Sequence, residues 1–360
     1  MECEWQRGSG VVWALRADSS SCRSRSRFTL TSPPLPSLVM SAPVASAVAG
    51  LDAPTAAQLS ELITRALAED VGSGDITTLA TVPESSRAKA TFLAKESGVL
   101  SGIAAATEIF RRVDASIRVH WDAKDGDAIA KGTSFGTAEG SSRSLLVAER
   151  LVLNLMQRMS GIATAAATYV RTMSAPHTRL LDTRKTVPGL RYLDKLAVLH
   201  GGGVNHRVGL FDMILIKDNH IEAARGIAKA VGGAQAFLGA RPGHAPRVQV
   251  EVEARTLQEV RDVLACGDQV QRILLDNMVK LGADGAVDTS MLVEALALIR
   301  NDPRTKSVGE DARLKTEASG NVNLKTVKAI GETGVDFVSV GALTHSVMAL
   351  DISMKIKLLQ

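Results

Sequence analysis

Along the second half of the chain, short apolar runs stop abruptly at charged or glycine-rich clusters. Leu180-Leu181 ends in Asp182-Thr183-Arg184-Lys185, and Met213 to Ile216 ends in Lys217-Asp218-Asn219-His220. Further on, VQVEVE ends at Glu251 and Glu253, RILLDN at Asp276 and Asn277, LKTEASG at Glu317 to Gly320, and FVSVG at Gly341. Apolar runs this short, bounded by polar clusters, predict buried strands. Between them, Leu190, Leu193, Leu196, Ala197 and His200 recur at helical spacing, and the stretches Thr256 to Ala265, Ser290 to Arg300 and Asn323 to Ile330 also read as helices. Strands alternating with helices predict an α/β fold with a parallel sheet. Every polar cluster then falls at a C-terminal strand end, which is where a β/α barrel carries its chemistry. An open doubly wound sheet places ligands there too, so the pattern alone leaves both architectures open.

The first half reads differently. Leu59 to Leu67 suits a helix running into EDVGSGDITT, whose glycines and alternating acids predict a turn. This segment lacks the later ligands and terminal glutamate of a calcium loop. ATFLAKESGVLSG and RVHWDAKDGDAI read as strand pieces, the second with a Lys-Asp-Gly turn, and Ser144 to Met173 as a long helix interrupted at Ser160-Gly161.

With 360 residues and 45% hydrophobic content, the chain has enough apolar mass for two cores. The net charge of +4 is mild, so the basic character is local. From Arg184 to Lys217 there are six Lys or Arg residues against Asp194 and Asp212, which points to a small polyanion rather than a nucleic acid. Cys3, Cys22 and Cys266 are too few and too scattered for a disulfide framework or a zinc site and fit a reducing compartment. No apolar run approaches the roughly 18 residues of a membrane-spanning helix. Residues 1–50 carry five Arg, no Lys and three acids, with SSSCRSRSR followed by TSPPLPS. That composition suits a disordered organellar transit peptide; the alternative is an upstream extension, with the start at Met40.

Taken singly, Arg184, Lys185, Arg207 and Lys217 could be solvated surface charges. Their position at strand ends and beside Gly201-Gly202-Gly203 argues for a site in which guanidinium groups grip carboxylates and lysines act on phosphate. His206 could be a packed histidine, but its place between Asn205 and Arg207 in a Gly-rich loop favours a ligand contact. Glu251, Glu253 and Asp276 reverse the sign within this rim, as ion-pair partners or as a seat for a divalent ion arriving with a phosphate substrate. Ser319-Gly320-Asn321 before a helix could open its amides onto an anion, with Gly341 at the next strand end completing a phosphate site.

In order, EDVGSGDITT, AERLVLNLMQRMSGIAT, DTRKTVPGLR, GGGVNHR, LIKDNHI, VEVE, ILLDN, EASGN and VGALTHS resemble the quinolinate phosphoribosyltransferases (nicotinate-nucleotide pyrophosphorylases, carboxylating), from about Leu59 to the C-terminus. The resemblance implies an incomplete seven-stranded β/α barrel over residues 161–345, and an N-terminal α/β sandwich-like domain over 51–160 joined by residues 346–360. It further implies a homodimer, and magnesium brought in with phosphoribosyl pyrophosphate. Arg184, His206, Arg207 and Lys217 would cradle quinolinate, with Arg150 reaching in from the partner subunit. Lys185 and Lys217 would face pyrophosphate, Glu253 and Asp276 the ribose and magnesium, and Ser319, Gly320, Gly341 and His345 the 5′-phosphate. The implied reaction gives nicotinate mononucleotide, pyrophosphate and carbon dioxide, in NAD biosynthesis, with no nucleic acid or membrane involved. A molybdenum-transport-associated paralogue of the same fold and a non-enzymatic phosphosugar-binding regulator are the alternatives. FLAKESG, NLMQRMSGIAT and GLFDMILIKDNHI are most similar to the plastid branch of the family, with mitochondrion and cytoplasm as other destinations. The departures from the family pattern are the first 50 residues and the loops Gly232 to Arg247 and Asn301 to Arg313.

Overall fold

Asp52 opens the first helix, α1 (Ala53–Val71), by accepting the Thr55 amide at 2.9 Å, and Leu59 and Ile63 bury its inner face. The structure, a computed structural model, describes residues 51–241, 243, 248–303 and 313–359; the expected transit peptide and part of each of the two departing loops lie outside them. Of the acidic glycine segment, Glu69 to Val71 end α1 and only Gly72 to Asp75 turn, where Asp75 accepts the Thr78 amide at 3.0 Å and starts α2 (Ile76–Thr81). An N-cap carboxylate thus converts the end of the expected turn into a helix.

Strands β1 (Arg87–Ala94), β2 (Gly98–Val99), β3 (Arg118–Trp121), β4 (Ala128–Ile129) and β5 (Ser134–Ser141) surround α3 (Ile103–Val113) in sequence. The chain's final strand, Ile352–Leu358, returns to complete an antiparallel sheet by pairing with β1, and β5 and β3 follow on the other side. Ala88, Ala90, Phe92 and Ala94 alternate inward from β1, the period-two pattern of a half-buried strand. Phe92 meets the rings of Phe110, Trp121 and Phe135 at centroid distances of 6.1, 4.9 and 5.9 Å. Much of the aromatic content of this half is concentrated in that one core.

Helix α4 (Ser142–Met173) runs unbroken through Ser160-Gly161, where an interruption was expected. Gly161 is there for space: a Cβ on it would lie 2.2 Å from the Met348 carbonyl oxygen. Alanine would gain about 1 kcal/mol in helix propensity but would force two backbones apart, which costs several times more than yielding a flexible side chain. Gly161→Ala is therefore expected to lower stability by about 2 kcal/mol, read as a lower urea midpoint at unchanged slope.

Strands β6 (Arg179–Leu181), β7 (Ile214–Ile216), β8 (Val250–Ala254), β9 (Arg272–Asp276) and β12 (Lys315–Ser319), with β13 (Phe337–Ser339), make one parallel sheet in the order β6-β13-β12-β9-β8-β7; the short hairpin β10 (Lys280–Leu281) and β11 (Val287–Asp288) lies between β9 and β12 in sequence. The first strand pairs with the last, Leu180 opposite Val338. That is the cyclic order of a β/α barrel rather than of an open doubly wound sheet, in which the chain starts inside and winds outward. Among the described residues six strands are hydrogen-bonded into this sheet, and the expected seventh is not among them. Val204 adds a single parallel bridge to Leu181. A strand does not continue there because the next amide, that of His206, is taken by the Asp182 carboxylate at 2.8 Å.

The expected loop from Gly232 begins instead as helix, Ile227–Gly239. Ser319-Gly320-Asn321 does not open directly onto a helix: the helix expected at Asn323 to Ile330 starts only at Val327 and ends at Glu332, because Asn323 and Thr326 first close a turn.

Candidate functional site

Two of the cations in the basic stretch serve the scaffold. Lys195, on the helix Arg191–His200, is 2% exposed and donates to Asp182 at 2.5 Å and to the His206 carbonyl at 3.0 Å. Burial raises Asp182 to about 6 and pushes the Lys195 amine below its ordinary value, yet each remains the other's partner. With its amide oriented to suit its neighbours, Asn205 donates to Asp182 Oδ2 at 2.7 Å and to the Lys195 carbonyl at 3.0 Å. Arg191 ties the same loops together through Thr186 and the Val208 and Arg184 carbonyls. The chain from Asn205 to Arg207 is thereby held at the mouth of β6.

Four cations remain for a ligand. Lys185 and Lys217 are exposed, Arg184 and Arg207 half-buried. Burial, and then the charge of Arg184, depress Arg207 from the usual guanidinium value. Arg184 Nε is buried without a partner among the described residues, and Arg207 donates to the Met213 carbonyl at 3.2 Å. Two guanidinium groups held together against their own repulsion suit a ligand with two negative charges.

Beneath them lies a charged cluster that the apolar-run pattern gives little hint of. His206, 8% exposed, points Nε2 at Glu251 (2.9 Å) and Glu317 (3.4 Å), and Glu317 also takes Arg272 at 3.3 Å. Arg272 lies over the Phe337 ring at 4.3 Å. Burial opposes the charge on His206, but its bonds to Glu251 and Glu317 prevail and lift it to about 9. The Arg207 amide approaches His206 Nδ1 at 2.7 Å, a contact that favours neutral imidazole. Two buried carboxylates facing one guanidinium would cost more than that contact contributes, so the imidazolium prevails near neutral pH. The ligand atoms of His206, Glu251 and Glu317 lie within 4.8 Å of one another, as a metal would require. Burial, and then the charge of Glu317, push Glu251 up to about 7, whereas at Glu317 burial is outweighed by the bond to His206 and the charge of Arg272, which hold the carboxyl below its ordinary value. The described groups of this cluster are thus tied to one another by ion pairs. Glu317 was legible in principle: it precedes Ser319 by two residues, as Glu251 precedes Glu253, and period two puts each pair on one face of its strand.

The next layer toward the strand ends holds the remaining candidates. Glu253, buried, accepts Lys217 Nζ at 3.0 Å. Asp276 accepts the Asn277 amide at 2.6 Å, and Asn277, at φ 57°, also donates its backbone amide to the Ser319 carbonyl at 2.9 Å. Gly320 sits at φ 80°, and a Cβ there would lie 2.2 Å from Asn277 Oδ1, so the ends of β9 and β12 interlock. At Gly341 a Cβ would meet Lys185 Cδ at 2.8 Å and His345 Nε2 at 3.3 Å. Lys185, Gly341 and His345 are thus gathered in one place. Arg150 stands apart, exposed on α4 and with no side-chain hydrogen bond or ion pair among the described residues.

A ring of parallel strands with arginines, lysines and carboxylates gathered at its C-terminal ends defines an enzyme scaffold for polyanionic substrates. The chain belongs to the quinolinate phosphoribosyltransferase family: the family's N-terminal domain matches residues 75–160 and its C-terminal domain residues 162–355. It is 51% identical over 303 residues to a chloroplastic nicotinate-nucleotide pyrophosphorylase (carboxylating) of Oryza sativa subsp. japonica, covering 83% of this chain and 77% of that one. Over 301 residues it is 40% identical to a probable nicotinate-nucleotide pyrophosphorylase (carboxylating) of Bacillus subtilis, covering 84% and 94%. The crystal structure of NadC from Streptococcus pyogenes superposes with a TM-score of 0.74 at 37% identity, covering 84% of this chain and 98% of that one.

Proposed function

We propose that the protein transfers the phosphoribosyl group of phosphoribosyl pyrophosphate to quinolinate and releases carbon dioxide, giving nicotinate mononucleotide and pyrophosphate. The observation that carries this reading is the convergence of a dication, Arg184 with Arg207, and the Lys185, Gly341 and His345 cluster on one end of the same ring. Quinolinate is a dicarboxylate, and each guanidinium takes one carboxylate. His206 supports the pair from below as buried positive charge, its Nε2 turned to the Glu251 carboxylate within the protein. Ser319, Gly320, Gly341 and His345 receive the 5′-phosphate, and Lys185 and Lys217 the pyrophosphate, with Lys217 also reaching quinolinate. As the bond from the ribose carbon to pyrophosphate breaks, positive charge grows on the sugar beside Glu253 and Asp276 and negative charge on the leaving group beside the lysines. The pyridine nitrogen attacks without a covalent enzyme intermediate. Its positive charge then accepts the electrons left by the departing carboxylate.

Glu253 and Asp276, hard oxygen donors on neighbouring strands, fit a magnesium ion that keeps most of its ligands from substrate and water. Magnesium would neutralise charge on the pyrophosphate. We further propose that Val204 marks a reduced seventh strand, that the active enzyme is a homodimer with Arg150 entering the neighbouring site, and that residues 1–50 direct the protein to the plastid. Rice and Arabidopsis thaliana relatives are named chloroplastic and some tobacco relatives mitochondrial, so import into isolated chloroplasts and mitochondria separates the two. Carbon dioxide release from carboxyl-labelled quinolinate, dependent on phosphoribosyl pyrophosphate and matched by pyrophosphate, tests the reaction. A molybdenum-transport paralogue or a phosphosugar-binding regulator would release none.

Arg207→Lys keeps the charge but loses the planar fork. It is expected to weaken quinolinate binding by about 2 kcal/mol and to leave phosphoribosyl pyrophosphate binding nearly unchanged. Equal losses for both substrates, measured by calorimetry, would remove Arg207 from the cradle.

A further inference from the structure

Lys185 is exposed, on a loop, and carries a flexible stem; nothing in the side chain itself fixes where its ammonium group points. Two features at the end of β13 restrict it. The missing side chain of Gly341 lets the lysine stem pass close over the backbone, since a Cβ there would lie 2.8 Å from Lys185 Cδ. The backbone of Lys185 is held by Thr344, which is fully buried and donates its hydroxyl to the Lys185 carbonyl at 2.9 Å. Thr344 sits in the short helix Ala342–His345, so this one bond joins the loop after the first strand of the ring to the loop after the last. Thr344 is anchored in turn. Arg158 of α4 donates to the Thr344 carbonyl at 3.2 Å and grips the buried Asp194 carboxylate with two bonds, at 2.9 and 2.8 Å. A single guanidinium therefore ties together α4, the helix Arg191–His200 and the Gly341 turn.

We propose that Thr344 is a positioning residue for Lys185, and that Arg158 fixes Thr344 in that role. The inference rests on the assignment of Lys185 to the pyrophosphate. Thr344 does not touch substrate; its hydroxyl limits the lysine backbone to one placement, and Gly341 then limits the stem to one course. Losing the hydroxyl frees the loop and leaves the Lys185 carbonyl without that donor. The ammonium group then spends most of its time away from the anion, while Arg207 stays held through His206 by Asp182 and Lys195, and the Arg184 carbonyl stays held by Arg191.

A double-mutant cycle on the full chain tests this, with phosphoribosyl pyrophosphate and quinolinate affinities measured by calorimetry so that low turnover does not matter. Thr344→Val keeps the shape and removes the donor. It is expected to weaken phosphoribosyl pyrophosphate binding about tenfold and to change quinolinate binding by less than about twofold, with Thr344→Ser restoring wild-type affinity. In a Lys185→Ala background the same change is expected to have no further effect. An equal loss in both backgrounds, or equal losses for both substrates, overturns the proposal. Lys185→Ala binding phosphoribosyl pyrophosphate as tightly as wild type overturns the assignment of Lys185 beneath it, and is recognisable as that separate failure. Should Thr344→Val not fold, Arg158→Lys, which loses the two-pronged grip on Asp194, carries the same test and is expected to give the same selective loss; no selectivity would equally overturn the proposal.

Discussion

Lys185→Ala is expected to lower kcat about a thousandfold, with quinolinate binding little changed. The lysine is placed where negative charge grows on the departing pyrophosphate, and a charge aimed at the leaving group helps the transition state more than the bound substrate. Its stem lies over Gly341, beside His345, and Lys217, the other cation proposed for pyrophosphate, is engaged by Glu253 at 3.0 Å. That engagement leaves Lys185 the freer charge for the leaving group. Rates of pyrophosphate release at saturating substrates provide the measurement. A kcat within tenfold of wild type would show that the leaving group is stabilised elsewhere.

The second large effect is a recovery. If Arg150 acts across a two-fold interface while Lys185 acts in its own ring, then Arg150→Ala and Lys185→Ala homodimers each carry one defect in every site and should both be nearly inactive. In a mixed dimer, the ring with an intact Lys185 receives its Arg150 from the Lys185→Ala subunit, whose own Arg150 is normal, and that site is whole. The other site holds both defects. Random exchange makes about half of the dimers mixed, each with one working site of two, so activity should return to about a quarter of wild type. Arg150 is suited to this role by its position: it is exposed on α4, eight residues from the Arg158 that serves its own chain. No recovery, in a mixture shown by native mass spectrometry to have exchanged, would mean that Arg150 serves its own subunit or the scaffold.

The parallel strands and the polar clusters at their ends were legible in the sequence because both follow from local pattern. A strand buried on both faces must be apolar until it leaves the sheet, and the first residues beyond it are free to be charged, so Lys217, Glu253, Asp276 and Ser319 announce themselves. Where the reading failed, a distant partner decided. Gly161 looks like a helix breaker and is instead a gap for the Met348 carbonyl. Beyond the bridge at Val204, the side chain of Asp182 claims the His206 amide that a further strand would need.

What the sequence determined by itself is the family, the alternation of strands and helices, and the identity of the groups that carry charge at the strand ends, because these depend on residue type and short-range order. Only the tertiary structure decided that the first strand closes against the last, that Lys195 is a buried strut while Lys185 is exposed, and that Glu251, Glu317 and Arg272 hold His206 under the cradle. Each of these depends on which charge meets which across the ring, and buried charges are tolerated only where a partner far away in the chain is brought within hydrogen-bonding distance.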